Sequence, residues 1–196
     1  MVRAASNSDA GPPRRADAQR NRAAILEAAV ELLHRDGANA SLEEIARRAG
    51  VGSATLHRHF RGHRALLEAV FDDRIEQMCA EAERIAEQWP AGEALWAWLR
   101  HIAQHCAAEK ALAALLRNDY GDTGAQNRSF GALGRAGQKL LDRSAAAGAV
   151  QPGVTLKDLL LLVNAVADVC SDNSADIDRL LDLTWNGARR PIATNC

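Results

Sequence analysis

The sequence predicts an all-α fold, and three observations point there. Alanine and leucine dominate the 47% of hydrophobic residues, aromatics make up only 4%, and β-branched residues are sparse, so local propensity favours helices over strands. Apolar residues recur at helical spacing in one segment after another. No segment shows the apolar–polar alternation of a half-buried strand, and no 20–50-residue repeat is visible.

Residues 1–16 are rich in Ala, Ser, Gly and Pro without periodicity and read as a disordered arm. From Asp17 the pattern changes. Ile25, Ala28, Ala29, Leu32 and Leu33 form an apolar stripe, and Gly37 follows as a stop, which predicts a helix over about 18–36. Ser41 opens a second helix, with Glu44 placed for a capping box, and Gly50 ends it. A short third helix, Ala54–Phe60, turns Leu56 and Phe60 inward. A long fourth helix covers about 63–88, closed by Pro90-Ala91-Gly92. Further helices are expected at Glu93–Ala108, Ala111–Asn118 (short), Gln126–Ala147, Leu156–Cys170 and Ala175–Ala188. Gly121–Gly124 and Gln151-Pro152-Gly153 read as turns, and glycines 131, 134 and 137 as interruptions. The segment Leu156–Cys170 is apolar almost all round, which predicts burial on both faces.

Charge is unevenly placed. Residues 1–62 hold ten arginines against seven carboxylates, while residues 63–196 hold fourteen Lys/Arg against eighteen Asp/Glu. A basic front and an acidic remainder fit one nucleic-acid-facing segment. The four cysteines are scattered with no CxxC pair, as expected of small buried hydrophobes in a reducing compartment. Residues 1–20 hold no apolar run of a signal peptide, and no run approaches the ~18 apolar residues of a membrane helix. A soluble cytoplasmic protein without membrane contact is expected.

The second and third helices, joined by a tight Gly-containing turn, read as a helix-turn-helix, a unit whose second helix enters the DNA major groove. Ile45, Ala46, Val51, Leu56 and Phe60 supply the inward side. Ser53, Ala54, Thr55, His57, Arg58 and His59 are left outward, a polar and partly basic face. The alternative is that residues 41–60 are only a structural hairpin of a helical enzyme or ligand carrier.

Residues 20–71 resemble the N-terminal domain of the tetracycline-repressor (TetR) family of bacterial transcription regulators. The resemblance rests on an apolar first helix ending at Gly37 and on Ser41 opening the second helix. It rests also on the turn Ile45-Ala46-Arg47-Arg48-Ala49-Gly50-Val51, on the run Thr55-Leu56-His57-Arg58-His59-Phe60, and on Leu66-Leu67 early in the fourth helix. It implies that Thr55 approaches the DNA backbone or a base edge, that His59 contacts phosphate, and that Ser53, Ala54 and Arg58 face the groove. It implies too that Ser41 sets the second helix against a phosphate. Three positions depart from the family habit: His57 stands for Tyr, Gly52 for Ser or Thr, and His63 for Lys, with Arg61 and Arg64 flanking it. Arg58 suits bidentate pairing with guanine and suits a phosphate equally.

The expected organisation is a disordered arm (1–16), a three-helix DNA-binding domain (17–64) and a larger helical ligand-binding and dimerisation domain (65–196). The implied function is that of a ligand-responsive regulator, a repressor released from a near-palindromic operator by a small molecule. Its expected partners are double-stranded DNA, an unidentified effector and a second copy bound through residues about 155–188. Candidate effector-lining residues are Trp96, Trp98, His101, Tyr120, Asn164 and Asp168. Asp168 and Asn164, four apart on an apolar helix, are singled out because a buried carboxylate needs water, a ligand or a partner; a hydrogen bond across a subunit interface is the commoner arrangement, and Trp98 reads equally as plain core. His101, His105 and Cys106 share metal-compatible spacing, but no fourth ligand declares itself and no metal or other cofactor is expected. No Gly-rich phosphate loop, Ser-His-Asp order or catalytic-cysteine context is present, so no catalytic residue is assigned and the chain is not expected to be an enzyme.

Overall fold

The computed structural model describes residues 13–37, 40–108, 124–170 and 174–188. Their architecture is helical: α1 (Pro13–Asp36), α2 (Leu42–Arg48), α3 (Ser53–His59), α4 (His63–Gln88), α5 (Ala91–Ala108), α6 (Gly124–Ala146), α7 (Leu156–Val169) and α8 (Ser174–Ala188). The chain divides into two compact units, residues 1–67 and 68–196, and α4 begins in the first and continues into the second.

In the first unit, α1 opens at Pro13 rather than near residue 18, so residues 13–16 of the expected arm are helical. Proline suits the first helical turn, where its missing N–H has no intrahelical partner in any case. An i,i+3 ion pair between Asp17 and Arg20 follows. Residues 1–12 lie outside the described residues. Ile25, Ala28, Ala29, Leu32 and Leu33 are buried as their spacing predicts, and Gly37 takes φ +58°, the left-handed stop.

Ser41 is the N-cap residue of α2 by backbone geometry, but its side chain makes no cap bond. The expected capping box is therefore not formed. Glu44 instead accepts two bonds from Arg47, at 2.8 and 2.6 Å. A charge-assisted fork outcompetes a single bond to a backbone amide. Gly50 turns the chain at φ +69°, and Val51 donates back to the Ala46 carbonyl at 3.0 Å. The third helix starts one residue earlier than expected and ends at His59; Phe60 lies just past it in extended backbone. Leu56 is fully buried and Phe60 nearly so, and α1, α2 and α3 all pack on one another. Each such anchor contributes about 1.5–3 kcal/mol of burial.

In the second unit α5 is the hub and packs against α6, α7 and α8. Pro90 both ends α4 and starts α5, because its carbonyl accepts from Glu93 and Ala94. Trp98 is fully buried, and its indole N–H donates to the Met78 carbonyl of α4 at 3.0 Å. The three glycines expected to interrupt α6 do not: the helix runs through them. Gly137 has a packing role, since a Cβ there would stand 2.6 Å from the Trp98 ring and 3.0 Å from Leu156. Gly137→Ala gains about 1 kcal/mol of helix propensity and costs about 1–3 kcal/mol of overpacking. A net loss is expected, read as a lower thermal midpoint; an unchanged or raised midpoint would show that Trp98 has room to move.

Thr155 and Asp158 close a full capping box at the start of α7. Among the described residues of one chain, α7 is buried on one face, and the cover its sequence expects on the other does not come from them. Leu156, Leu159, Val163 and Ala167 point inward, while Leu161, Leu162 and Val169 are exposed, as is Leu183 on α8. The short helix expected at 111–118 and all of the turn at 121–124 except Gly124 lie outside the described residues; Gly124 is the first residue of α6.

Candidate nucleic-acid interface

The inward anchors Leu56 and Phe60 fix the rotation of α3, and that decides which side chains face out. Ser53, Ala54, His57 and Arg58 are exposed; Thr55 and His59 are half-buried. Arg58 Nη2 donates to Thr55 Oγ1 at 2.9 Å, so the guanidinium lies along the exposed face while its remaining N–H groups stay open. Gly52, the N-cap of α3, has φ −70° and ψ 148°, and nothing lies within 4 Å of a Cβ there. The position accepts any L-residue, so its glycine is not required by the fold. Ser41 is exposed at the start of α2. His63, at the start of α4, is half-buried and differs from the others: its Nε2 is enclosed without a hydrogen bond.

Around this face the arginines separate into two groups. Arg47 is held by Glu44, Arg48 by Glu31 at 2.7 Å, Arg35 by Asp36 at 2.7 Å and Arg20 by Asp17. These charges are largely cancelled. Arg58 and Arg61 have no carboxylate partner among the described residues, and Arg22 stands 5.6 Å from the Phe60 ring centroid. The uncancelled positive charge of the turn and recognition segment therefore sits on α3 and just after it. Sequence reasoning counted these arginines together. The i,i+3 spacing of Glu44 and Arg47 was the available signal for separating them.

Of the residues proposed to line an effector site, only Trp96 and His101 come together among the described residues. Trp98 is core. Asn164 and Asp168 are exposed on α7, so the burial that singled them out does not occur within one chain. Tyr120 lies outside the described residues. Trp96 and His101 do share a cleft of about 930 Å³ in the second unit, with Glu81, Arg84, Trp89, Glu93, Arg100, Asp182 and Trp185. Trp96 stacks on Trp185 at 5.3 Å and 16°, a pairing that sequence spacing alone could not show.

His101 and His105 meet edge to face, with ring centroids 4.2 Å apart. Burial pushes both below the ordinary histidine value, Arg84 adding to the effect on His101, and His101 and Arg74 to that on His105; Glu81 opposes it. No group of three or more possible metal ligands exists among the described residues. Neither Cys79, Cys106 nor Cys170 is in a disulfide, and no helix among the described residues is long and apolar enough to cross a membrane. The depressed histidines have a consequence for stability. The unfolded chain takes up protons at about pH 6.5 and the folded chain only at lower pH, so stability is full above about 6.5 and falls as pH drops below it. The thermal midpoint is expected to fall between pH 7.5 and 5.5, and the His101→Gln/His105→Gln double variant to flatten that fall. An equally steep fall in the variant would place the proton uptake elsewhere.

Comparison with known proteins agrees with this geometry. Residues 25–70 match the model described as bacterial regulatory proteins, tetR family, and residues 90–190 match that of the SbtR-like transcriptional regulator C-terminal domain. The chain is similar to the TetR transcriptional regulator SCO0520 of Streptomyces coelicolor, at 34% identity and TM-score 0.75 over 87% of this chain and 99% of that one. It is similar to a TetR regulatory protein of Mycobacterium vanbaalenii, at 31% identity and TM-score 0.77 over 91% of this chain and all of that one. A curated relative, the HTH-type transcriptional regulator SAR0097 of Staphylococcus aureus, is 39% identical over 82 residues, which span 39% of this chain and 43% of that protein. The helix-turn-helix of α2 and α3, the helical second unit and these matches agree: the chain belongs to the tetR family of bacterial transcription regulators.

Proposed function

We propose that this chain is a cytoplasmic, ligand-responsive transcription repressor that binds a near-palindromic operator as a homodimer and leaves it when a small molecule binds the second unit. The observation that carries the reading is the exposed face of α3. Two buried anchors fix it, and it presents Arg58 without a carboxylate partner while the arginines of α2 are neutralised. In this reading Arg58 pairs with a guanine edge or a phosphate. Thr55, His57 and His59 donate to the backbone, Ser53 and Ala54 pack in the groove, and Ser41 brings the start of α2 to a phosphate. His63 contributes only if it turns outward on binding.

The exposed leucines of α7 and α8 support pairing of two copies through residues about 155–188. Two copies related by a two-fold axis read two half-sites of matching symmetry. The effector acts by binding one dimer conformation better than the other, which shifts the population away from DNA. The test is selection of bound fragments from sheared genomic DNA. A near-palindromic consensus is expected among them. Recovery of fragments with no shared sequence would overturn the reading.

A further inference from the structure

The cleft beside α5 holds two arginines, which at first suggests an anionic ligand. Their partners argue otherwise. Arg84 is paired with Glu81 at 2.5 Å and also reaches Gln88. Arg100 is paired with Asp182 at 2.8 Å and Asp178 at 3.5 Å, and its guanidinium stands 5.5 Å from the centroid of Trp96. Both positive charges are therefore already met by carboxylates. Among the lining carboxylates Glu81, Glu93 and Asp182, only Glu93 makes no side-chain hydrogen bond or ion pair with a described residue.

The placement of Glu93 follows from helical periodicity. Glu93, Trp96, Ala97, Arg100 and Gln104 fall along one stripe of α5, and that stripe is a wall of the cleft. Trp89 lies four residues before Glu93 and is 44% exposed, so it offers open aromatic surface beside the open carboxylate. Ile85, Pro90 and Ala149 add apolar wall. Its volume, about 930 Å³, is of the size that takes a small organic molecule.

We propose that this cleft binds a bulky hydrophobic organic cation, with Glu93 as its counter-charge and the exposed Trp89 ring as its aromatic wall. A cation gains from the open face of Trp89 as well as from the carboxylate, whereas the Trp96 ring already carries Arg100 and Trp185. An anion would have to take an arginine away from the carboxylate it already holds. The proposal rests on the reading of the second unit as the effector side and names the chemical class of the effector.

The test uses two probes matched in size and shape and opposite in charge, tetraphenylphosphonium and tetraphenylborate, titrated calorimetrically into the full chain. The phosphonium is expected to bind at least tenfold more tightly. Glu93→Gln, at an exposed position, is expected to narrow that preference about fivefold or more with an unchanged circular dichroism spectrum. Equal affinity for the two ions, a preference for the borate, absence of binding, or a preference undiminished in Glu93→Gln would each overturn the proposal. Operator affinity measured with and without the phosphonium separates the two claims. If the cation binds without changing operator affinity, the cleft assignment stands and the effector reading fails. If the cation does not bind while the operator does, the regulator reading stands and the cleft assignment fails.

Discussion

Replacing Arg58 and His59 together by alanine is expected to lower operator affinity by roughly 10²–10⁴ while leaving helical content unchanged. The magnitude follows from two lost contacts at about 1–3 kcal/mol each. The fold has little stake in either side chain. Arg58 is exposed and, among the described residues, bonds only to the Thr55 hydroxyl, and the His59 ring is half-buried, 6.1 Å from that of Phe60. The anchors Leu56 and Phe60 remain in place. Fluorescence anisotropy on a selected operator fragment, with circular dichroism alongside, reads both halves of the expectation. Arg47→Ala is the comparison: its guanidinium is already committed to Glu44, so a much smaller loss is expected. Equal losses in the two variants would show that general positive charge, and not the face of α3, sets affinity.

The second large effect is expected at the exposed face of α7 and α8. Leu161 is 59% exposed and Leu183 62% exposed in the single chain, so Leu161→Asp with Leu183→Asp costs the isolated fold little. If a second copy covers these side chains, the same change buries two carboxylates per subunit without partners, at several kcal/mol. Sedimentation should then show monomers at micromolar concentration. Operator affinity should fall at least a hundredfold, because each monomer engages only one half-site. A variant that stays dimeric would place the interface elsewhere.

Much of the first unit was legible in the sequence because its determinants are local. The stripe from Ile25 to Leu33 and the stops at Gly37 and Gly50 follow from periodicity and from the backbone angles glycine permits. The start of α1 was not, because the two prolines beside an Ala- and Gly-rich stretch look like a loop, although Pro13 is well suited to a first turn. At Ser41 the sequence offered two partners for Glu44, and the guanidinium of Arg47 won. The Thr155–Asp158 box carries Asp where a capping box usually has Glu or Gln, so its spacing does not announce it.

The second unit was less legible because its decisive contacts join distant segments. Trp96 and Trp185 stack across α5 and α8, and neither local pattern announces the other. Trp98 had two readings until its indole met Met78 and Gly137. The apolar circumference of α7 was read as burial on both sides, which a sequence states without saying whose atoms provide the cover. Among the described residues only half of that cover exists, and the exposure of Asn164 and Asp168 follows from the same fact.

The central claim, that the face of α3 holds DNA largely through charge, is tested most directly by the salt dependence of affinity for a selected operator fragment. A plot of log affinity against log salt should be linear with a slope between about −4 and −8, each neutralised phosphate contributing about −0.9. The Arg58→Ala/His59→Ala variant should lose about one to two units of that slope per subunit. An affinity indifferent to salt, or a slope the variant leaves untouched, would contradict the account.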